Sequence, residues 1–171
     1  MTRPSFEVAK VKGAIGEAVV RRILEAKGWV VYQPMTDGPH QFDMLSIRDK
    51  QAAIALDVKA KARMTYLPCT GVNQGHFEEY QRFSQRHRMP FWIVFVDESE
   101  RAIYGNTIEE LERPRVVGGR SYPLSMNDRR GKSLRLWPLS AMKRISDISG
   151  DDASELVALS QRSYDYREPS A

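Results

Sequence analysis

The stretch Ile54-Ala55-Leu56-Asp57-Val58-Lys59-Ala60 sets an acid and a lysine two residues apart on a segment that is otherwise small and apolar. As a strand, its alternation puts Ile54, Leu56, Val58 and Ala60 on one face and Asp57, Lys59 and Lys61 on the other. That combination suits phosphodiester hydrolysis assisted by a divalent cation. A carboxylate offers the hard oxygen that Mg²⁺ prefers, and an ammonium beside it positions an attacking water or stabilises charge on the phosphate. One carboxylate holds Mg²⁺ poorly, so a second acid is required. Asp43, in Gly38-Pro39-His40-Gln41-Phe42-Asp43-Met44-Leu45, lies on the preceding predicted strand. A hairpin between the two strands brings Asp43 and Asp57 near each other on one face.

The elements that must position these groups are legible in the apolar spacing. Residues 8–27 predict an amphipathic helix, with Val11, Ile15, Ala18, Val19 and Ile23 in register, Val20 and Leu24 beside them, and Gly28 as its stop. Strands are predicted at 29–32, 41–48 and 52–60, with a turn at 36–39. Residues 64–73 read as a loop and 74–88 as a helix ended by Pro90. The apolar run 91–96 suits a strand covered on both faces. A short strand at 102–105 and a short helix at 107–111, capped by Asn106 or Thr107, follow. Residues 113–135 are arginine-rich with little periodicity; a last strand is expected at 134–137 and a short helix at 138–145. The expectation is one α/β domain over residues 1–146, a mixed central sheet flanked by helices, and an acidic, partly ordered tail over 147–171.

Asp43, Asp57-Val58-Lys59 and the order α-β-β-β-α-β together resemble the PD-(D/E)XK nuclease superfamily, whose fold is restriction-endonuclease-like. The Asp57-Val58-Lys59 half matches the pattern; in the other half Phe42, not proline, precedes Asp43. The resemblance spans roughly residues 8–97. It implies that Asp43 and Asp57 bind Mg²⁺ or Mn²⁺ with help from the Val58 carbonyl, and that Lys59 serves catalysis. It also implies a glutamate on the first helix, where Glu17 follows Gly13-Ala14-Ile15-Gly16, acting on metal-bound water or a second ion. A polar residue from the helix after the Asp-x-Lys strand is implied as well, with Gln74 and Tyr80 favoured. Compact size and a leading helix look most similar to Holliday-junction-resolvase-like nucleases. These act on DNA, usually as homodimers, because two symmetric cuts need two sites. A catalytically inactive, nuclease-derived DNA-binding or inhibitor protein is the alternative, and the intact Asp57-Val58-Lys59 argues against it.

Composition narrows the setting. The net charge of +4 is uneven: residues 147–171 carry −4, leaving +8 on the first 146. A basic body fits a polyanion partner. Lys61 and Arg63, just past the Asp-x-Lys strand, and Arg129, Arg130 and Lys132 in the arginine-rich segment are the expected DNA contacts, with Arg82, Arg86 and Arg88 extending the basic surface. No apolar run reaches the roughly 20 residues of a membrane span, and Met1–Glu7 lacks a signal-peptide core. A single cysteine, Cys69, excludes an internal disulfide and a Cys-x-x-Cys zinc site. A cytoplasmic protein is the expected setting. His40 and His76 read as polar loop residues. No phosphate-cradling glycine loop of the P-loop or dinucleotide kind is present.

Overall fold

The computed structural model describes residues 4–35, 40–49, 53–64, 67–128 and 131–164. Helix α1, Pro4–Ala26, leads into β1, Val30–Tyr32, β2, Met44–Ile47, and β3, Ile54–Ala60. These three strands pair antiparallel in chain order. Strand β4, Cys69–Asn73, and helix α2, Gln74–His87, then carry the chain across to β5, Phe91–Asp97, which lies parallel to β3. Strand β6, Ala102–Thr107, and the single-turn helix α3, Ile108–Leu111, follow. The remainder comprises β7, Arg115–Val117, β8, Arg120–Tyr122, β9, Leu124–Asn127, β10, Ser133–Pro138, β11, Lys143–Asp147, and α4, Gly150–Tyr164. The main sheet runs β1-β2-β3-β5-β6-β11, with β4-β10-β9 as a second sheet and β7-β8 as a separate hairpin. It is a mixed α/β architecture; α1, α2 and the main-sheet strands follow the order α-β-β-β-α-β, with β4 of the second sheet inserted before α2. Among the described residues, no helix is long and apolar enough to cross a membrane.

The two faces of the main sheet are covered differently. Leu56 and Val58 pack with Val19 and Val20 of α1, Val94 and Val96 of β5, and Ala153 and Leu156 of α4. Ala55, Ile93 and Phe95 pack instead with Phe77 and Tyr80 of α2, Leu111 of α3 and Trp137 of β10. This split is the alternation expected of residues 54–60, and it explains why β5 is apolar on both faces. On α1 the buried stripe is narrower than its periodicity suggests: Val19 and Val20 are buried, whereas Val11 is 48% exposed. At Gly16 an added Cβ would lie 2.7 Å from the Ala60 Cβ, so glycine there lets α1 approach the end of β3.

Helix α2 starts where Asn73 caps it, its side chain accepting from the Gly75 N–H at 3.0 Å. Thr107 caps α3 through Glu110 N–H at 3.3 Å. Three local readings need correction. Residues 69–73 form a strand because β10 pairs with them from sixty residues downstream. The arginine-rich segment holds a hairpin, β7-β8, turning at Gly118-Gly119 with φ of 56° and 75°. In place of a helix over 138–145 there is one 3₁₀ turn, Leu139–Ala141, and then β11, which pairs with β6. Helix α4 belongs to the core: Leu156 is 0% exposed, and Arg22 of α1 reaches Asp152 at 2.7 Å. Glu98, at the end of β5, accepts from Lys12 of α1 at 2.5 Å and from Ser160 of α4 at 2.8 Å, tying all three elements together.

Candidate active site

The β2-β3 ladder runs from Met44↔Leu56 to Ser46↔Ile54, and Asp43 is the residue just before it, beside the Asp57 end of β3. The Asp43 N–H donates to the Leu56 carbonyl at 3.0 Å, one residue out of the β2-β3 register, so the ladder becomes irregular at Asp43. The Asp43 carboxylate then accepts from the Val58 N–H through Oδ2 at 2.6 Å. It takes the hydrogen bond that the carbonyl of a longer β2 would have accepted. The hairpin thus ends on the first acid and hands β3's next free amide to it.

Lys59 is held by the second acid. Its Nζ donates to Asp57 Oδ1 at 2.9 Å and lies 2.7 Å from Oδ2, where the geometry is too skewed for a hydrogen bond. Asp57 Oδ2 is therefore buried without a hydrogen bond of its own. Tyr80 of α2, stacked on Phe91 at 4.6 Å, approaches Asp57 as well. Burial, then the charge of Asp57 and a side-chain contact to it, push the Tyr80 phenol above its ordinary range.

An open cleft is lined by Ala9, Gly13 and Glu17 of α1 together with Asp43 and residues 58–61. Burial pushes the Glu17 carboxyl up, opposed by His40 and reinforced by Asp57. Asp43 is more strongly affected: burial first, and then the neighbouring charge of Asp57, push its carboxyl up to about 7, against the Val58 hydrogen bond. His40 Nδ1 is 3.7 Å from Asp43 Oδ1. A buried Asp57 and a half-buried Asp43, whose charges oppose each other, have one ammonium, Lys59, between them, a deficit of positive charge.

A divalent cation fits that deficit. Asp43 and Asp57 supply hard oxygen, and Val58 lines the same cleft, where its carbonyl would serve as a third donor. Mg²⁺ keeps several waters and needs only one or two carboxylates beyond those. Among the described residues, no three His, Cys, Asp or Glu side chains converge tightly enough to hold a metal by themselves. Glu17 is coupled electrostatically to the pair without closing a three-carboxylate cage.

The other expected residues are placed as follows. Gln74 opens α2 and donates from Nε2 to Glu78 at 3.0 Å, while its Oε1 is buried and unpaired. Six residues along a helix turn a side chain well away from its starting direction, and it is Tyr80 that reaches Asp57. Lys61 is turned inward, its Nζ 5.6 Å from the centre of the Phe95 ring and donating to the Gly71 carbonyl. Burial and the charge of Lys59 lower it to about 8. Arg63 is committed to Asp97 at 3.4 Å and Glu100 at 2.5 Å. Lys132 is exposed beside the turn between β9 and β10, and Arg129 and Arg130 lie outside the described residues. Cys69 is buried and its thiol is pushed up by burial, which leaves it no nucleophilic role. His76 is exposed on α2 rather than in a loop. A feature not singled out from the sequence is the packing of Phe42 on Phe83, ring centres 5.2 Å apart, which anchors the residue before Asp43 to α2.

No family model matches the chain, and no curated protein does. Among solved structures, the chain is similar to the Archaeoglobus fulgidus Holliday junction resolvase Hjc. The identity is 16% and the TM-score 0.46, over 59% of this chain and 81% of that one. It is also similar to D212, a nuclease from a fusselovirus, with 10% identity and a TM-score of 0.48 over 95% of this chain and 97% of that one.

Proposed function

We propose that this protein is a divalent-metal-dependent deoxyribonuclease that cuts DNA internally. The observation that carries the proposal is the coupling of two acids at the head of the hairpin, Asp43 accepting from the Val58 N–H and Asp57 binding Lys59, with one ammonium between them. Mg²⁺ or Mn²⁺ bound there supplies Lewis acidity, polarising the phosphate and lowering the pKa of water. Asp43 and Asp57 hold the cation, and Val58 contributes both its amide, which orients Asp43, and its carbonyl. Lys59 is 29% exposed against 7% for Asp57, so its ammonium borders the open side of the site. From there it orients the attacking water or neutralises charge developing on the phosphate. Glu17 lies across the cleft, where it accepts a proton or a hydrogen bond from water. A branched, Holliday-junction-like duplex cut by a homodimer is the arrangement to test first.

The test uses branched, linear duplex and single-stranded DNA with Mg²⁺, Mn²⁺ or chelator. Cleavage is expected only with the cation. Asp57→Ala is expected to abolish it and Lys59→Ala to reduce it by on the order of 10²–10³-fold, both with DNA binding retained. Cleavage unchanged in Asp57→Ala refutes the assignment, and binding without cleavage on every substrate identifies a catalytically inactive relative.

A further inference from the structure

Of the two basic residues nearest the Asp-x-Lys strand, Lys61 borders the candidate site while donating to the Gly71 carbonyl, and Arg63 is paired with Asp97 and Glu100, so the backbone of a bound strand needs a further partner. The second half of α2 supplies one. From Tyr80 to Arg88 it carries Arg82, Arg86, His87 and Arg88 and no acid. Arg82 and Arg86 are exposed, stand one turn apart, and make no ion pair among the described residues. Like charges at that spacing repel, a cost that a bound anion relieves. They border an open cleft with Gln41, Phe83 and Gln85.

That cleft is anchored to the active site from two directions. Gln41 stands two residues before Asp43, and Phe42 between them packs on Phe83. Two residues span at most about 7 Å, and a DNA strand advances 3.4 Å per nucleotide, so Gln41 lies within about two nucleotides of Asp43. On the other side Tyr80, one turn before Phe83 and Ser84 on α2, approaches Asp57. A cation near a helix C-terminus is favourable in itself, which accounts for Arg86 and Arg88. It does not account for Arg82 in mid-helix, nor for the amide of Gln41 beside the pair.

We infer that Arg82 and Arg86, with Gln41, grip the phosphate backbone of the DNA strand that enters the active site. The inference rests on the nuclease reading for its direction and adds a backbone-binding track to it. Its test is duplex binding by fluorescence anisotropy in chelator, across a salt series, so that cleavage plays no part. Arg82→Gln/Arg86→Gln is expected to weaken binding and to reduce the slope of log K against log salt by about 1.8, at about 0.9 per phosphate contact. Arg82→Lys/Arg86→Lys, which keeps the charge, is expected to restore most of that slope. Arg21→Gln/Arg144→Gln removes the same charge from exposed sites elsewhere and is expected to leave the slope unchanged. An unchanged slope in the first variant, an equal loss in the control, or no duplex binding by the unmutated chain overturns the inference. Cleavage by the unmutated chain is scored separately: binding that follows these expectations without cleavage leaves the track standing and removes the nuclease reading.

Discussion

Replacing Asp43 by asparagine probes the electrostatic deficit directly. In the metal-free protein the Asp43 carboxyl is pushed up to about 7 from 3.8, by burial and by Asp57. Ionising it in the folded state therefore costs on the order of 4 kcal/mol more than ionising it in the unfolded chain. Asparagine is isosteric, keeps an oxygen for the Val58 N–H, and carries no such cost. The site borders an open cleft, where solvent screens such terms, so about half of that figure, roughly 2 kcal/mol, is expected as a gain in stability. For a chain of this size that is roughly 4–8 °C in Tm. The sign follows from linkage. An acid whose folded pKa is raised binds more protons folded than unfolded, so it destabilises progressively as pH rises from about 4 to about 7, and no further above that. The Tm difference between Asp43→Asn and the unmutated protein, measured in chelator, is thus near zero at pH 4 and grows to its full value by pH 8. Adding Mg²⁺ or Mn²⁺ at pH 8 shrinks the difference: a cation at about 100 times its Kd stabilises the unmutated protein by roughly 2.7 kcal/mol and the variant, which has lost a ligand charge, by less. A Tm difference independent of pH, or an asparagine variant less stable than its parent at pH 8 in chelator, refutes the reasoning.

Tyr80→Phe keeps the stack on Phe91 and removes the hydroxyl near Asp57. Cleavage is expected to fall roughly tenfold, as for the loss of one hydrogen bond to a charged group, with Tm nearly unchanged; a full loss of folding on urea titration would show Tyr80 to be purely structural. Leu156→Ala tests whether α4 is part of the domain core. Leu156 is fully buried against α1 and the sheet, so urea denaturation is expected to show a loss of about 2–5 kcal/mol in one transition. A separate early transition would mean that α4 unfolds independently.

The candidate site residues were legible because strand alternation is a local rule. Asp57 and Lys59 share a face whatever surrounds them, and the short connection from β2 makes an antiparallel rung the simplest pairing for Asp43. The leading helix, α2 and the doubly covered β5 are likewise local patterns of period 3.6 or of continuous apolarity. What the chain concealed were features made by partners distant in sequence. Cys69–Asn73 looks like a loop until β10 supplies its hydrogen bonds, and β11 exists because β6 offers an open edge. The acidic C-terminal stretch looks soluble until Leu156 meets α1. The basic residues show the same division. Position along the chain favoured Lys61 and Arg63, whereas tertiary packing sets one against Phe95 and Gly71, pairs the other with Asp97 and Glu100, and leaves Arg82 and Arg86 exposed without an ion pair among the described residues. Backbone periodicity decides which face a side chain occupies, whereas its freedom to meet a ligand depends on what the rest of the fold has already brought against it.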